Sequence, residues 1–170
     1  MPVISPAAPA DLGAVARIYA HYVTDTVVTF EETPPTVADW RARHDDLAAR
    51  GLPFLVATVD GEVAGYAYAG PWRPKPAYRH TVEDSVYLAP GFTGRGLGRA
   101  LLAAVLDGCA AAGMRQVVAV IADTGSDASA ALHRRLGFAN AGRLTAVGHK
   151  HGRWVDTVLM QRALPVVAGG

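Results

Sequence analysis

Apolar residues recur three or four apart at Leu12, Val15, Ile18, Tyr19 and Tyr22, which predicts an amphipathic helix over Asp11–Tyr22. A second helix is predicted after Thr36, whose hydroxyl suits an N-cap, running through Trp40 and Leu47 to a stop at Gly51. The stretch between them, Thr26 to Pro35, carries Phe30, Glu31 and Glu32 without a regular period. Strand patterns flank these helices. Val3-Ile4-Ser5 reads as a short first strand, and Leu52–Val59 and Val63–Ala69 face each other across an Asp60-Gly61 hairpin turn. Gly70 to Pro76 contains three prolines and is expected to be a loop.

In the second half, Arg79 to Leu88 reads as a longer strand with Val82, Val86 and Leu88 on one face, ended by Pro90-Gly91. Thr93-Gly94-Arg95-Gly96-Leu97-Gly98-Arg99-Ala100 follows, and the Ala-rich run Ala100 to Ala112 predicts a helix stopped at Gly113. Gln116 to Ile121 is an apolar run of the kind found in a central strand buried on both faces. Asp127 to Leu136 reads as a helix stopped by Gly137. Two last strands, Gly142–Val147 and Trp154–Gln161, are joined across Lys150-His151-Gly152. Strands and helices interleave without repeat or linker. The expectation is one mixed α/β domain over residues 1–164, with a frayed tail from Pro165 to Gly170.

Composition narrows the class. A chain of 170 residues is most simply one domain with a real core, and its apolar fraction of 51% is ordinary for an enzyme. No apolar run approaches the roughly 18 residues of a membrane span, and no secretory signal is visible. The single cysteine, Cys109, suits a reducing cytoplasm and reads as a small buried hydrophobe. Sixteen basic and fifteen acidic residues are dispersed along the chain, for a net charge of +1, which argues against nucleic acid as the main partner. His149 and His151 flank Lys150 without a nearby acid or cysteine, which is poor metal-ligand spacing, so no metal is expected and a hairpin tip fits better.

The alternating glycines carry the most chemistry. A strand, a glycine turn and a helix N-terminus gather free backbone N–H groups at the positive end of a helix dipole, where a phosphate or pyrophosphate can rest. A Walker loop is excluded, because no Gly-Lys-Ser/Thr occurs. A dinucleotide fingerprint needs a small residue three positions past its second glycine, and that position is Arg99 or Leu101, depending on the starting glycine. What remains is another phosphorylated ligand or a purely structural turn.

With its elements in this order, the chain resembles the GCN5-related N-acetyltransferase (GNAT) superfamily along nearly its whole length. That superfamily binds the pyrophosphate of acetyl-CoA at a glycine loop of pattern Gln/Arg-x-x-Gly-x-Gly/Ala. The loop here keeps the glycines, with Thr93 where Gln or Arg is usual. Within the superfamily the chain is similar to the phosphinothricin and methionine sulfoximine N-acetyltransferases. That likeness rests on Tyr66-Ala67-Tyr68-Ala69-Gly70-Pro71-Trp72, Thr81-Val82-Glu83-Asp84-Ser85-Val86-Tyr87, Leu132-His133-Arg134-Arg135-Leu136-Gly137-Phe138 and Lys150-His151-Gly152-Arg153-Trp154. The resemblance implies the GNAT fold, an α/β mixed sheet of about seven strands with four helices, acetyl-CoA as co-substrate and a homodimer.

It also implies roles. Glu83 would take the proton of an α-amino group, whose pKa of about 7.7–8.0 leaves it mostly charged at neutral pH. From the residues alone, Glu83 could instead pair with Arg79 or His80. His133 stands where most of the superfamily has a tyrosine that protonates the leaving thiolate, and it could serve as acid or as a base acting with Glu83. Val86, Tyr87 and Leu88 would hold the pantetheine arm through their backbone, with the Leu88 N–H steadying the thioester oxygen. Thr93, Gly94, Arg95, Gly96, Leu97, Gly98 and Arg99 would cradle the pyrophosphate. Ser126 lies nearest the usual pantetheine-binding Asn, and it or Asp127 could instead be a helix cap. Acceptor contacts fall on Arg73, Pro74 and Lys75, whose cations suit an oxyanion, and on Glu83, Asp84 and Ser85. Phe30 and the Lys150 region are further candidates.

The function expected is direct acetyl transfer to the α-amino group of a small amino-acid analogue such as phosphinothricin, methionine sulfoximine or methionine sulfone. Rival readings are acetylation of a protein N-terminus or polyamine, and a non-catalytic acyl-CoA-binding module.

Overall fold

A computed structural model describes residues 1–166. Its centre is a seven-stranded sheet in the order β1-β2-β3-β4-β5-β7-β6. The strands are β1 (Val3–Pro6), β2 (Phe54–Val59), β3 (Glu62–Pro71), β4 (Thr81–Leu88), β5 (Gln116–Ala122), β6 (Ala139–Lys150) and β7 (Arg153–Ala163). Four α-helices accompany them among the described residues: α1 (Leu12–Asp25), α2 (Val37–Ala49), α3 (Leu97–Ala111) and α4 (Ala128–Arg135). The expected tail falls largely on residues 167–170, which lie outside the described residues.

The periodicities locate the core. The predicted stripe on α1 is buried at Leu12, Val15, Ile18 and Tyr19 and continues to Val23, while α3 buries Leu101, Leu102, Val105 and Leu106. Cys109 is fully buried, and burial, reinforced by the charge of Asp84, pushes its thiol up to about 12, so it packs as an inert hydrophobe. α2 starts as its sequence announces. The Thr36 side chain accepts from the Asp39 N–H at 3.1 Å, and Asp39 Oδ2 accepts from the Thr36 N–H at 2.9 Å, a reciprocal capping box.

Several boundaries differ from expectation. β3 runs on through Gly70 and Pro71, pairing them with Glu83 and Val82, because a proline is tolerated at a strand's last residue. α3 begins at Leu97, inside the glycine run. Gly96 caps it with φ of +79°, and Gly98 is buried in its first turn, where a Cβ would make ordinary contact with Leu132 at 3.5 Å. β5 is not buried on both faces, since Val120 is 40% exposed. β6 is longer than expected and crosses two register shifts. The hairpin tip falls at His151-Gly152, both with positive φ, as a two-residue turn of the mirrored type requires.

One pairing governs the site. β4 and β5 are parallel neighbours joined through α3, yet their ladder covers only Thr81–Glu83 against Gln116–Val118. Beyond it β4 stays with β3 as far as Leu88, while β5 stays with β7 as far as Ala122. The two strands therefore part, and a gap opens in the middle of the sheet. Gly65 on β3 lets the end of β4 lie close, since a Cβ there would sit 2.6 Å from Leu88 Cδ2 and 3.0 Å from the Tyr87 oxygen.

Replacing Thr36 with Ala removes the α2 cap and should destabilise the fold by about 1 kcal/mol, read as a lower denaturant midpoint with an unchanged m-value.

Candidate active site

The gap between β4 and β5 belongs to a cavity of about 640 Å³ lined by Val86, Tyr87, Leu88, Thr93, Gly94, Gly96, Gly98, Arg99, Ser126 and His133 among others. A second cavity of about 450 Å³ lies against it and shares Val28, Glu83, Ser85, Tyr87, Val120 and Ala122. The shared residues make β4 the partition between two chambers.

Strand geometry sets the polarity of the first chamber. The Ala89 N–H donates to the Ala64 oxygen at 2.8 Å, toward β3. Backbone groups alternate along a strand, so the N–H groups of Leu88 and Val86 turn the opposite way, into the gap, where no ladder meets them. The Tyr22 hydroxyl reaches into the same gap and donates to the Leu88 oxygen. At the far end, Gly94 and Gly96 take φ of +74° and +79°, and nothing lies within 4 Å of where their Cβ atoms would be. Backbone amides there stand open to a ligand at the N-terminus of α3.

Glu83 is half-buried and makes no hydrogen bond or ion pair among the described residues, so the alternative of pairing with Arg79 or His80 is not realised. Burial raises its pKa above the usual carboxylate range, and the neighbouring charge of Asp84 adds to the rise. A carboxylate so shifted is a better proton acceptor near neutrality.

Asp84, expected beside the acceptor, points to the other face of β4. It is buried, and its Oδ2 lies 2.8 Å from His133 Nε2. His133 Nδ1 lies 2.7 Å from the Ser129 oxygen. A carbonyl only accepts, so Nδ1 carries a hydrogen. Nε2 and Asp84 then share one further proton, and the imidazole has no lone pair left for a substrate. His133 thus faces the first chamber without a free basic nitrogen, and it stands on the opposite side of β4 from Glu83. Burial lowers the His133 pKa, but the hydrogen bond and charge of Asp84, with the Ser129 carbonyl, outweigh it and leave the value raised.

Other expected contacts sit differently. Arg73, Pro74 and Lys75 are exposed and line neither chamber; Arg73 lies over the Trp72 ring at 5.1 Å. The Arg95 side chain turns out over Phe92, and the Leu97 side chain enters the core, so neither lines the gap. Ser126 does line it, and its Oγ also accepts from the Ala128 N–H at 3.3 Å, leading into α4. Asp127 pairs with Arg134 on the exposed surface.

The second chamber contains residues not singled out from the sequence: Tyr19, Thr29, Arg43 and Tyr68. Its wall is the segment after α1, held by a clamp. The Tyr19 hydroxyl and Thr29 Oγ1 lie 2.6 Å apart, and buried Lys150 donates its Nζ to the Thr29 oxygen at 2.8 Å. Phe30 covers Gly148 so closely that a Cβ there would fall 2.4 Å from the ring. Arg43 had a legible signal, since Trp40, Arg43, His44 and Leu47 share one face of α2, and an arginine on that stripe is out of place.

Comparison with known proteins gives the family. Residues 15–138 match the acetyltransferase (GNAT) family. The chain belongs to that family. The GNAT chain is 50% identical over 154 residues to a phosphinothricin N-acetyltransferase of Alcaligenes faecalis, covering 91% of this chain and 78% of that enzyme. It is 44% identical over 153 residues to an L-methionine sulfoximine/L-methionine sulfone acetyltransferase of Pseudomonas aeruginosa, covering 89% and 88%. Its fold superposes with a TM-score of 0.92 on a GNAT superfamily phosphinothricin acetyltransferase from Sinorhizobium meliloti in complex with acetyl-CoA. That pair is 45% identical and covers 96% of this chain and 88% of the other. The chain is an acetyltransferase with the fold of these enzymes.

In an NMR titration of this acetyltransferase, His133 should stay doubly protonated above the ordinary histidine pKa of about 6.5. Asp84→Asn should lower its pKa, because the group that favours the cation is gone. An unshifted titration would remove Asp84 as the source of the charge.

Proposed function

We propose that this acetyltransferase moves the acetyl group of acetyl-CoA to the α-amino group of a small amino-acid analogue such as phosphinothricin, methionine sulfoximine or methionine sulfone. The observation that carries the reading is the gap beside β4, which leads from open amides at Gly94 and Gly96 past the Leu88 N–H to the unpaired carboxylate of Glu83. The identities to enzymes named for these acceptors support the substrate class.

The chain's own residues fit acetyl-CoA. Thr93 to Arg99 present backbone N–H groups and the α3 dipole to a pyrophosphate. Val86 and Leu88 offer strand-like hydrogen bonds to a pantetheine amide, and Ser126 adds a hydroxyl at the far wall. When bound, the thioester supplies an activated acetyl carbon. Glu83, lining both chambers, accepts the proton of the acceptor's ammonium, directly or through one water. The Leu88 N–H steadies charge developing on the carbonyl oxygen as the amine adds. His133, whose protonated form Asp84 favours, has both ring nitrogens engaged, so it helps the departing thiolate through its positive field, and the thiolate takes the proton that the nitrogen sheds as the amide forms. Ser85 and Tyr87, on the same side of β4 as Glu83, contact the acceptor. In the same reading the single domain is cytoplasmic, which its one unpaired thiol suits, and dimeric, with exposed Leu144, Val147 and Trp154 on the β6–β7 hairpin as apolar surface for a second copy.

A radiolabelled acetyl-CoA assay should show transfer to at least one of the three compounds, and transfer to none would overturn the substrate class. Glu83→Gln should cost about 10²- to 10⁴-fold in kcat and erase the acid limb of the pH profile, which lies above the usual carboxylate range in the wild type. Calorimetric affinity for CoA should be unchanged. Full turnover in this variant would favour another base or a binding module.

A further inference from the structure

The acceptor chamber carries a charge pattern of its own. Arg43 is the one basic side chain among the residues that line it. Its guanidinium is fixed before any ligand arrives. Nη1 donates to the Tyr68 hydroxyl at 2.8 Å, and the guanidinium carbon lies 4.9 Å from the centre of the Trp40 ring and 5.6 Å from that of Tyr68. Two aromatic faces hold the plane of the fork, and one hydrogen bond sets its rotation. No carboxylate pairs with it among the described residues. Two anions line the same chamber, Glu83 and Glu31. Glu31 is exposed, so water screens its charge, whereas Glu83 is half-buried. The chamber therefore presents one preset cation and one half-buried, unpaired carboxylate, the complement of a zwitterion.

We propose that Arg43 binds the α-carboxylate of the acceptor, so that the chamber selects a free α-amino acid over an amine that lacks a carboxyl group. The proposal rests on reading this chamber as the acceptor site. With the carboxylate on the Arg43 fork, the adjacent ammonium is directed to Glu83, and its proton has an acceptor at hand. Arg73 and Lys75, which the sequence offers for this task, are outside both chambers. A polyamine would meet the Arg43 charge with no anion to offer it, so the chamber discriminates by repulsion as well as attraction.

The test compares methionine sulfone with 3-(methylsulfonyl)propylamine, the same molecule without its carboxyl group. Arg43→Gln should raise KM for methionine sulfone by about 10- to 100-fold, the loss expected for a charge-assisted contact, and leave KM for acetyl-CoA unchanged. It should not lower kcat/KM for the amine, and relief of the charge repulsion should raise it. Equal loss on both acceptors would overturn the proposal, since Arg43 would then grip the sulfone or only support Tyr68. No loss on either would overturn it too. Should Arg43→Gln lower the melting temperature, Arg43→Lys keeps the charge without the fork and should still raise KM for methionine sulfone alone. If the wild type acetylates neither compound, the acceptor reading itself fails, an outcome distinct from these.

Discussion

A sheet cannot part in its middle without leaving backbone groups unpaired, and an unpaired group in the interior is expensive. β4 and β5 part after Glu83. The fold tolerates this because each strand keeps an antiparallel neighbour on its other side, so only one edge of each is left open. Those two edges face each other across a cavity instead of a ladder. The site depends on that arrangement: open donors, a wall of alternating side chains, and two chambers that meet at one strand. A ligand with amide groups of its own restores what the sheet gave up.

Alternation along β4 then distributes the chemistry. Glu83, Ser85 and Tyr87 face the acceptor chamber, while Asp84 on the opposite face is spent on His133. Two acidic residues adjacent in sequence are thus separated in function by the pleat. Glu83 stays unpaired and half-buried, with its pKa raised by burial. Asp84 fixes the imidazole and shares its proton, which favours the protonated form of His133 and leaves it no free ring nitrogen.

Much of this could be read in the chain. The α1 stripe, the Thr36 cap, the Asp60-Gly61 hairpin and the glycine turn are local signals, and local chemistry decides them. The family motifs pointed to Glu83 on β4, but not to which face Asp84 would take. Arg73 and Lys75 line neither chamber of this chain, and a basic, proline-stiffened loop looks alike in sequence whether it faces a cavity or solvent. Arg43 was visible only as an arginine on an apolar stripe, and its meaning needed Tyr68, 25 residues away, on another element. The two-sided burial expected of β5 failed for a related reason. An apolar strand facing an open cavity has the same composition as one facing a helix.

Lys150 ties the end of β6 to the carbonyl of Thr29 across 121 positions of chain. The wall of the second chamber is therefore tied to a hairpin far away in sequence. Phe30 rests on Gly148 of the same hairpin, so this wall closes through contacts between distant stretches of chain, whereas the glycine turn before α3 is shaped by its immediate neighbours.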